Sequence, residues 1–226
     1  MIGSPGGRML RDSKEILGCS LGAQDGMIGT VSDFFLDDEV WVIRYLVVDT
    51  GVGAAARKVL IMPVVLGRPD WDGRMLSVTV TREQVLGSPD IDTGKPVSRQ
   101  QEMGYRGYYG YGKYWGSSGL FNTEDPHLRS GNVLLRHFVH ASDGDVGHVN
   151  GFIIDDRSWA IQFLVVQTGT WWPGNQVRVA PELIDEVSWE DCVISLGSTR
   201  QAVRNSPRYE SAVPFSNQDQ SPGDQR

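Results

Sequence analysis

The chain has 226 residues, 40% of them hydrophobic, which suits one large domain or two small ones that each bury a core. Its net charge is -7, and acidic residues outnumber basic ones in both halves, 12 against 8 over residues 10–90 and 9 against 7 over residues 128–208. Neither half offers the basic face that phosphate neutralisation needs, so nucleic acid is a poor partner. The longest apolar runs fall well short of the roughly 20 residues of a membrane helix, and the leading MIGSPGGRMLRDSKE lacks the apolar core of a signal peptide. The chain therefore reads as soluble and cytoplasmic. Cys19 and Cys192 lie outside any CxxC spacing, and they read as reduced, buried thiols in preference to a disulfide or a metal site.

The strongest signal is an internal repeat. Residues 25–51, DGMIGTVSDFFLDDEVWVIRYLVVDTG, return as DGDVGHVNGFIIDDRSWAIQFLVVQTG at 143–169. An offset of 118 (143 minus 25) holds without a gap from Leu21 on Val139 to Pro89 on Pro207, and 24 of these 69 pairs are identical. Each half is then a control on the other, because features required by the fold recur while a site can sit in one copy only.

Read in chain order, each copy opens with Asp-Gly, at Asp25-Gly26 and Asp143-Gly144, the chemistry of a tight turn with positive φ. Gly29 and Gly147 mark a close approach of the backbone to a neighbour. A strand is predicted over 31–36 and 149–154. The pairs Asp37-Asp38 and Asp155-Asp156 supply a solvated hairpin turn, and a second strand is predicted over 41–50 and 159–168. In it Ile43, Tyr45 and Val47 (Ile161, Phe163 and Val165) form one apolar face, while the other becomes apolar at Leu46 and Val48, as in a strand of a small closed or nearly closed barrel. A third strand ends at the proline of KVLIMP and QVRVAP, and a fourth element runs over 71–80 and 189–198. A short helix closes each copy. Thr81 with Gln84 makes a capping box, Thr199 keeps the cap with Ala202 in place of the Gln, and Ser88-Pro89 and Ser206-Pro207 stop the helices.

The order DGxxGxVxxFxxDDxxWxIxxLVVxTG, then VxxxP, a Trp, an apolar strand and a Thr-Arg-initiated helix ending in Ser-Pro resembles the PRC-barrel family, named after the photosynthetic reaction centre H subunit. TGTWWPGNQVRVAP of the second copy is similar to the family's loop before its third strand, whereas the first copy departs with GVGAAARKVLIMP. Residues 96–115, PVSRQQEMGYRGYYGYGKYW, also resemble the aromatic tail of stand-alone bacterial members. The resemblance implies an all-β protein with short helices: two tandem small, mostly antiparallel barrels, over 10–90 and 128–208, each closed by a short C-terminal helix. They are joined by an aromatic, Gly-rich connector over 91–127 and followed by a disordered tail over 209–226. It further implies non-catalytic assembly and interaction modules, as in reaction-centre subunits and ribosome-maturation factors. Membership of a photosynthetic complex and a role in stress response both fit the family, but the chain shows neither the membrane anchor of the former proteins nor the extra N-terminal domain of the latter.

The residues themselves ask for no catalysis, cofactor or metal. Glu39 in the first copy corresponds to Arg157 in the second, a cation that a calcium site built on the Asp pairs would not tolerate. The four histidines, His127, His137, His140 and His148, all lie in the second half, with no HExxH and no Cys at ligand spacing; surface or barrel-mouth histidines are the reading preferred to a metal site. Phosphate loops, nucleophile elbows and Ser/His/Asp sets are absent. The aromatics carry the interest instead. Tyr105, Tyr108, Tyr109, Tyr111 and Tyr114 crowd into ten residues before Trp115. They either pack against the barrels or present an adhesive surface, since each ring buries roughly 150 to 250 Å². Trp171 and Trp172 pose the same choice between buried anchor and partner-binding hot spot. Three classes of function stand in order: a protein-interaction scaffold whose partner is another protein, with homodimer formation through edge strands; a small-ligand or metal binder using a barrel mouth or the cleft between copies; and an enzyme.

Overall fold

The computed structural model describes residues 9–51, 57–87, 128–170, 172–207 and 209. These residues form an all-β protein with a few short helices. Its strands are β1 (Leu10–Asp12), β2 (Ser20–Ala23), β3 (Gly26–Asp37), β4 (Val42–Asp49), β5 (Lys58–Ile61), β6 (Met75–Ser77), β7 (Leu128–Ser130), β8 (Phe138–Ala141), β9 (Gly144–Asp155), β10 (Ile161–Thr168), β11 (Gln176–Val179), β12 (Ile184–Ser188) and β13 (Val193–Leu196). Two compact units result: residues 14–134 form one, and residues 1–13 with 135–226 form the other.

In the unit of residues 14–134 the sheet order is β5-β4-β3-β2-β6, with β7 also paired to β3; in the other unit it is β11-β10-β9-β8-β13-β12, with β1 also paired to β9. The neighbour pairs are antiparallel except β2 with β6 and β8 with β13. The first strands are thus exchanged. β7, which leads into the second repeat, pairs with the first repeat's β3 in the register Phe35↔Ser130, Leu36↔Arg129, Asp37↔Leu128. β1, which leads into the first repeat, pairs with the second repeat's β9 as Ile153↔Asp12, Ile154↔Arg11, Asp155↔Leu10. Every one of these pairs maps onto its counterpart by the offset of 118.

The long strands make this possible. β4 runs along one side of β3, and the other side is shared, with β2 on residues 26–30 and β7 on residues 35–37. Two register shifts interrupt the β3–β4 ladder, between Val31 and Asp33 and between Phe35 and Leu36; the β9–β10 ladder shifts at the equivalent places. Such bulges bend a strand and raise its twist. The shift at Arg44 separates Ile43 from the face carrying Tyr45 and Val47, which pack with Phe35, Leu60, Met62 and the incoming Leu128. The predicted face of Ile43, Tyr45 and Val47 is therefore divided. Leu46 and Val48 are also fully buried, so β4 is covered on both faces along its apolar stretch.

Closed barrels are not what the strands build. Among the described residues no ladder joins β5 to β6 or β11 to β12, and the sheets are open. The proline turns Pro63–Val65 and Pro181–Leu183 end the ladders after β5 and β11, because proline fixes φ and carries no N–H to donate. On β11 the outer edge receives backbone instead: the Arg178 N–H donates to the Pro207 carbonyl (3.1 Å), and the Tyr209 N–H to the Gln176 carbonyl (3.1 Å). The fourth predicted element is shorter than its apolar run suggests, since Trp71 and Trp189 fall in the turns before β6 and β13. β12, which pairs with β13, has only isolated bridges as its counterpart in the first repeat, Leu66↔Val78 and Asp70↔Met75. Pro69 stands where Val187 sits, opposite Ile194, and its missing N–H accounts for the broken ladder.

The identical residues between repeats turn out to shape the backbone. Trp41 and Trp159 are buried at φ 54° and 58°, in the left-handed region where the hairpin enters β4 and β10, and Arg74 and Cys192 share the same conformation at φ 50° and 56°. Gly29 and Gly147 approach the carbonyls of Asp49 and Gln167 so closely that an added Cβ would overlap the oxygen. Asp25 and Asp143 do more than turn the chain: each accepts the first helical N–H, from Arg82 (2.6 Å) or Arg200 (2.7 Å), tying the β2–β3 or β8–β9 hairpin to the closing helix Arg82–Leu86 or Arg200–Asn205. The capping box of Thr81 with Gln84 forms, Thr199 accepts from the Ala202 N–H, and Val85 and Val203 anchor the two helices in the core.

Gly29→Ala and Gly147→Ala are each expected to destabilise by about 2 kcal/mol or more, since backbone must move to admit the methyl. Gly174→Ala, where the positive φ of 77° is the only obstacle, is expected to cost about 1–2 kcal/mol; urea midpoints compare the three.

Candidate functional site

Two junctions, one where each exchanged strand meets its acceptor, each hold a polar network with buried members. In the unit of residues 14–134, Asp33 projects from β3 and is almost fully buried. Its carboxylate accepts the Ser130 hydroxyl (2.6 Å) and the N–H groups of Phe34 (2.7 Å) and Asn132 (3.0 Å). Ser130 in turn accepts the Val133 N–H (3.2 Å), capping the helical turn Gly131–Leu134, while the Asn132 side-chain amide donates to the Ser32 carbonyl (2.9 Å). Asp33 therefore locks the end of β7 and the start of the following turn to β3. Burial is the main influence on its carboxyl and raises it above the ordinary 3.8; the bonds from Ser130, Asn132 and Phe34 and the charge of Lys58 act in the opposite direction.

The other unit uses different residues at the equivalent positions. Gly151 replaces Asp33, and the incoming segment carries Asp12 and Ser13 where Ser130 and Gly131 stand. The Ser13 hydroxyl accepts the Phe152 N–H (3.1 Å) and donates to Asp12 (3.4 Å), whose second carboxylate oxygen accepts the Tyr209 hydroxyl. Here the carboxylate arrives with the strand; in the first unit it waits in the acceptor.

The hairpin aspartates also have a structural task, and the solvated turn expected for them is corrected. Asp37 and Asp155 are buried. Each accepts two N–H groups of its own turn, those of Glu39 (3.2 Å) and Val40 (3.3 Å) or of Arg157 (2.9 Å) and Ser158 (2.8 Å). Asp37 additionally pairs with Arg44 at 2.5 Å. This is an Asx turn, in which the side chain mimics backbone.

Of the candidate contact residues, Tyr105, Tyr108, Tyr109, Tyr111, Tyr114, Trp115 and Trp171 lie outside the described residues. Trp172 is half-buried in the loop between β10 and β11. Its carbonyl accepts the Thr168 hydroxyl (2.5 Å), and its ring lies under the Arg204 guanidinium, 5.1 Å from the ring centroid, on the closing helix of its own unit. His137 is fully buried with its ring edge-to-face on Trp189 at 4.9 Å. His140 faces Asp145 at 3.4 Å on an exposed surface, and His148 lies opposite the exposed Phe138. Among the described residues no three His, Cys, Asp or Glu side chains converge as metal ligands, and no helix is long and apolar enough to cross a membrane. Cys19 is buried and its thiol donates to the Glu15 carbonyl (2.9 Å); burial first, then Glu15, raise its pKa against the opposing charge of Arg74. Cys192 is partly exposed, unlike the buried thiol expected for it.

Neither a scan of protein-family models nor a search of curated proteins finds a match to this chain.

Two measurements follow from these geometries. A carboxyl with a raised folded pKa favours the folded state below its unfolded value, and that contribution is lost as pH rises through the folded value. The stability of Asp33→Asn relative to the parent is therefore expected to increase as pH climbs from about 4 toward 7, read as urea midpoints; parallel curves would contradict the burial of this carboxylate. In the native protein Cys192 is expected to react with a thiol reagent well before Cys19, and equal rates would contradict the placement of Cys19.

Proposed function

We propose that this chain is a non-catalytic protein of the PRC-barrel type that works as a protein-interaction and assembly module, with both repeats built as incompletely closed barrels of that kind. The observation that carries the reading is that each repeat is completed by a strand from outside itself: the free half-edge of β3 or β9 takes up β7 or β1. Addition of a strand to an exposed edge is a general mode of protein recognition, in which main-chain bonds give affinity and side-chain pockets give selectivity.

Two further features support it. The buried carboxylates Asp33, Asp37 and Asp155 are committed to N–H groups of turns and strand ends, a structural use that leaves them poorly placed for proton transfer. The two repeats agree in what bends the backbone and differ in the Trp172 loop and in the leading strands. A partner protein is assigned to the aromatic side chains of Trp171, Trp172 and the connector tyrosines, and a homodimer is the simplest self-association.

The test is affinity capture with the full chain from its native host, beside a variant with the five connector tyrosines changed to serine and another with Trp171→Ala and Trp172→Ala. A partner retained at defined stoichiometry by the parent and lost from the variants, at unchanged melting temperature, is the expected outcome. Identical recovery from all three, or none from any, would remove the basis for the aromatic contact surface.

A further inference from the structure

We propose that the two leading strands are directed to the opposite repeat by a charge-and-size code at three pairs of equivalent positions, 12 and 130, 13 and 131, 33 and 151, which makes each acceptor edge selective for one strand sequence. The inference goes beyond the interaction reading, because it concerns which segment of the chain fills which edge and holds whatever the external partner is.

The alternative is concrete. β1 is separated from its own repeat's β2 by one helical turn, Ser13–Ile16, and residues 17–19. β2 already pairs with the near half of β3, so β1 lies close in sequence to the far half of the same strand, which β7 fills. Self-pairing would need only a change at this hinge, the usual locus of strand exchange. Nothing in the main-chain ladder opposes it, since the register of β1 on β9 and of β7 on β3 is the same under the 118-residue offset.

The side chains do oppose it. On β3, β1 would place Asp12 where Ser130 stands, and the Ser130 hydroxyl is 2.6 Å from the buried Asp33 carboxylate. A donor would be replaced by a second carboxylate at hydrogen-bond distance, in a site where burial already disfavours the first charge. Ser13 would fall on the position of Gly131, where a Cβ would come within 2.5 Å of the Phe34 ring. The ring would have to shift to admit Ser13, a lesser obstacle than the second carboxylate, since Ser13 already stands beside the equivalent Phe152 in its own unit. Conversely, β7 on β9 would put Ser130 and Gly131 in place of Asp12 and Ser13. The Phe152 N–H would lose the Ser13 hydroxyl, and the Tyr209 hydroxyl would lose its carboxylate. Gly151 leaves the space that Ser13 and Asp12 occupy, with their oxygens 3.5 and 3.6 Å from where its Cβ would be. Thus Asp33 matches Ser130-Gly131, Gly151 matches Asp12-Ser13, and both mismatched pairings are penalised.

A competition within the full chain tests the code. In a background of Cys19→Ser and Cys192→Ser, Arg11→Cys is offered two partners at once, Ile154→Cys and Leu36→Cys. Residues opposed in an antiparallel ladder have Cα atoms about 4.5–5.5 Å apart, within disulfide range. Peptide mapping after mild oxidation reads which bond forms. The thiol at position 11 is expected to bond position 154 over position 36 by about tenfold or more, a ratio that burial of a second carboxylate beside Asp33 exceeds. Adding Asp12→Ser and Ser13→Gly is expected to bring the ratio toward one. Equal bonding without those changes, or a ratio that they leave unaltered, would overturn the proposal. A second readout needs no cysteines: Ser130→Asp is expected to lower the urea midpoint, and Asp33→Gly in the same chain to restore most of the loss. Additive losses in that double-mutant cycle would equally overturn it.

Discussion

The far half of one strand edge governs this structure. β3 and β9 are twelve residues long, while β2 and β8, four residues each, can satisfy only the near part of the edge facing them. The remaining N–H and C=O groups lie among buried side chains, where an unmade backbone bond is costly. Something must pair there, and the chain supplies a three-residue strand from the other repeat's leader. The placement of Leu128 against Tyr45 and Phe35, the capping of the turn after Ser130 and the burial of Asp33 all follow from that pairing.

The repeats show how a backbone is held while side chains drift. Both units keep the same two register shifts, the same pair of positive-φ positions and the same aspartate capping the closing helix. At the left-handed positions the residue can be Arg or Cys provided the neighbours hold the conformation, whereas tryptophan is kept in both hairpins because its ring also fills the core. In one unit Leu60 packs beside Tyr45, while at the equivalent positions of the other Arg178 lies over the Phe163 ring at 5.4 Å. Packing of roughly equal volume with different chemistry is what cores accept most readily.

Much of this was legible in the amino-acid sequence. Alternating apolar residues, Asp-Gly turns, the aspartate pairs and the Thr-x-x-Gln cap led to strands, hairpins and closing helices in the right order, because these signals act over a few residues. Less local features were hidden. Periodicity at Ile43, Tyr45 and Val47 does not reveal a bulge at Arg44 that redirects the faces. The Asp37 and Asp155 side chains looked solvated because burial of a turn depends on what covers it. Open sheets in place of closed barrels reflect ladders that stop at Pro63 and Pro181, a matter of tertiary reach. Strand exchange leaves no trace in the repeat register, since a strand pairs identically with either copy. Its one sequence signal is the reciprocal replacement of Asp33 by Gly151 with Ser130-Gly131 by Asp12-Ser13, which acquires meaning only when the four segments are seen together.

Cross-strand nuclear Overhauser contacts in the isotopically labelled full-length protein measure the exchange most directly. Contacts between Arg11 and Ile154 and between Arg129 and Leu36 are the expected result. Contacts between Arg11 and Leu36 together with Arg129 and Ile154 would show each repeat completing itself and would contradict the account.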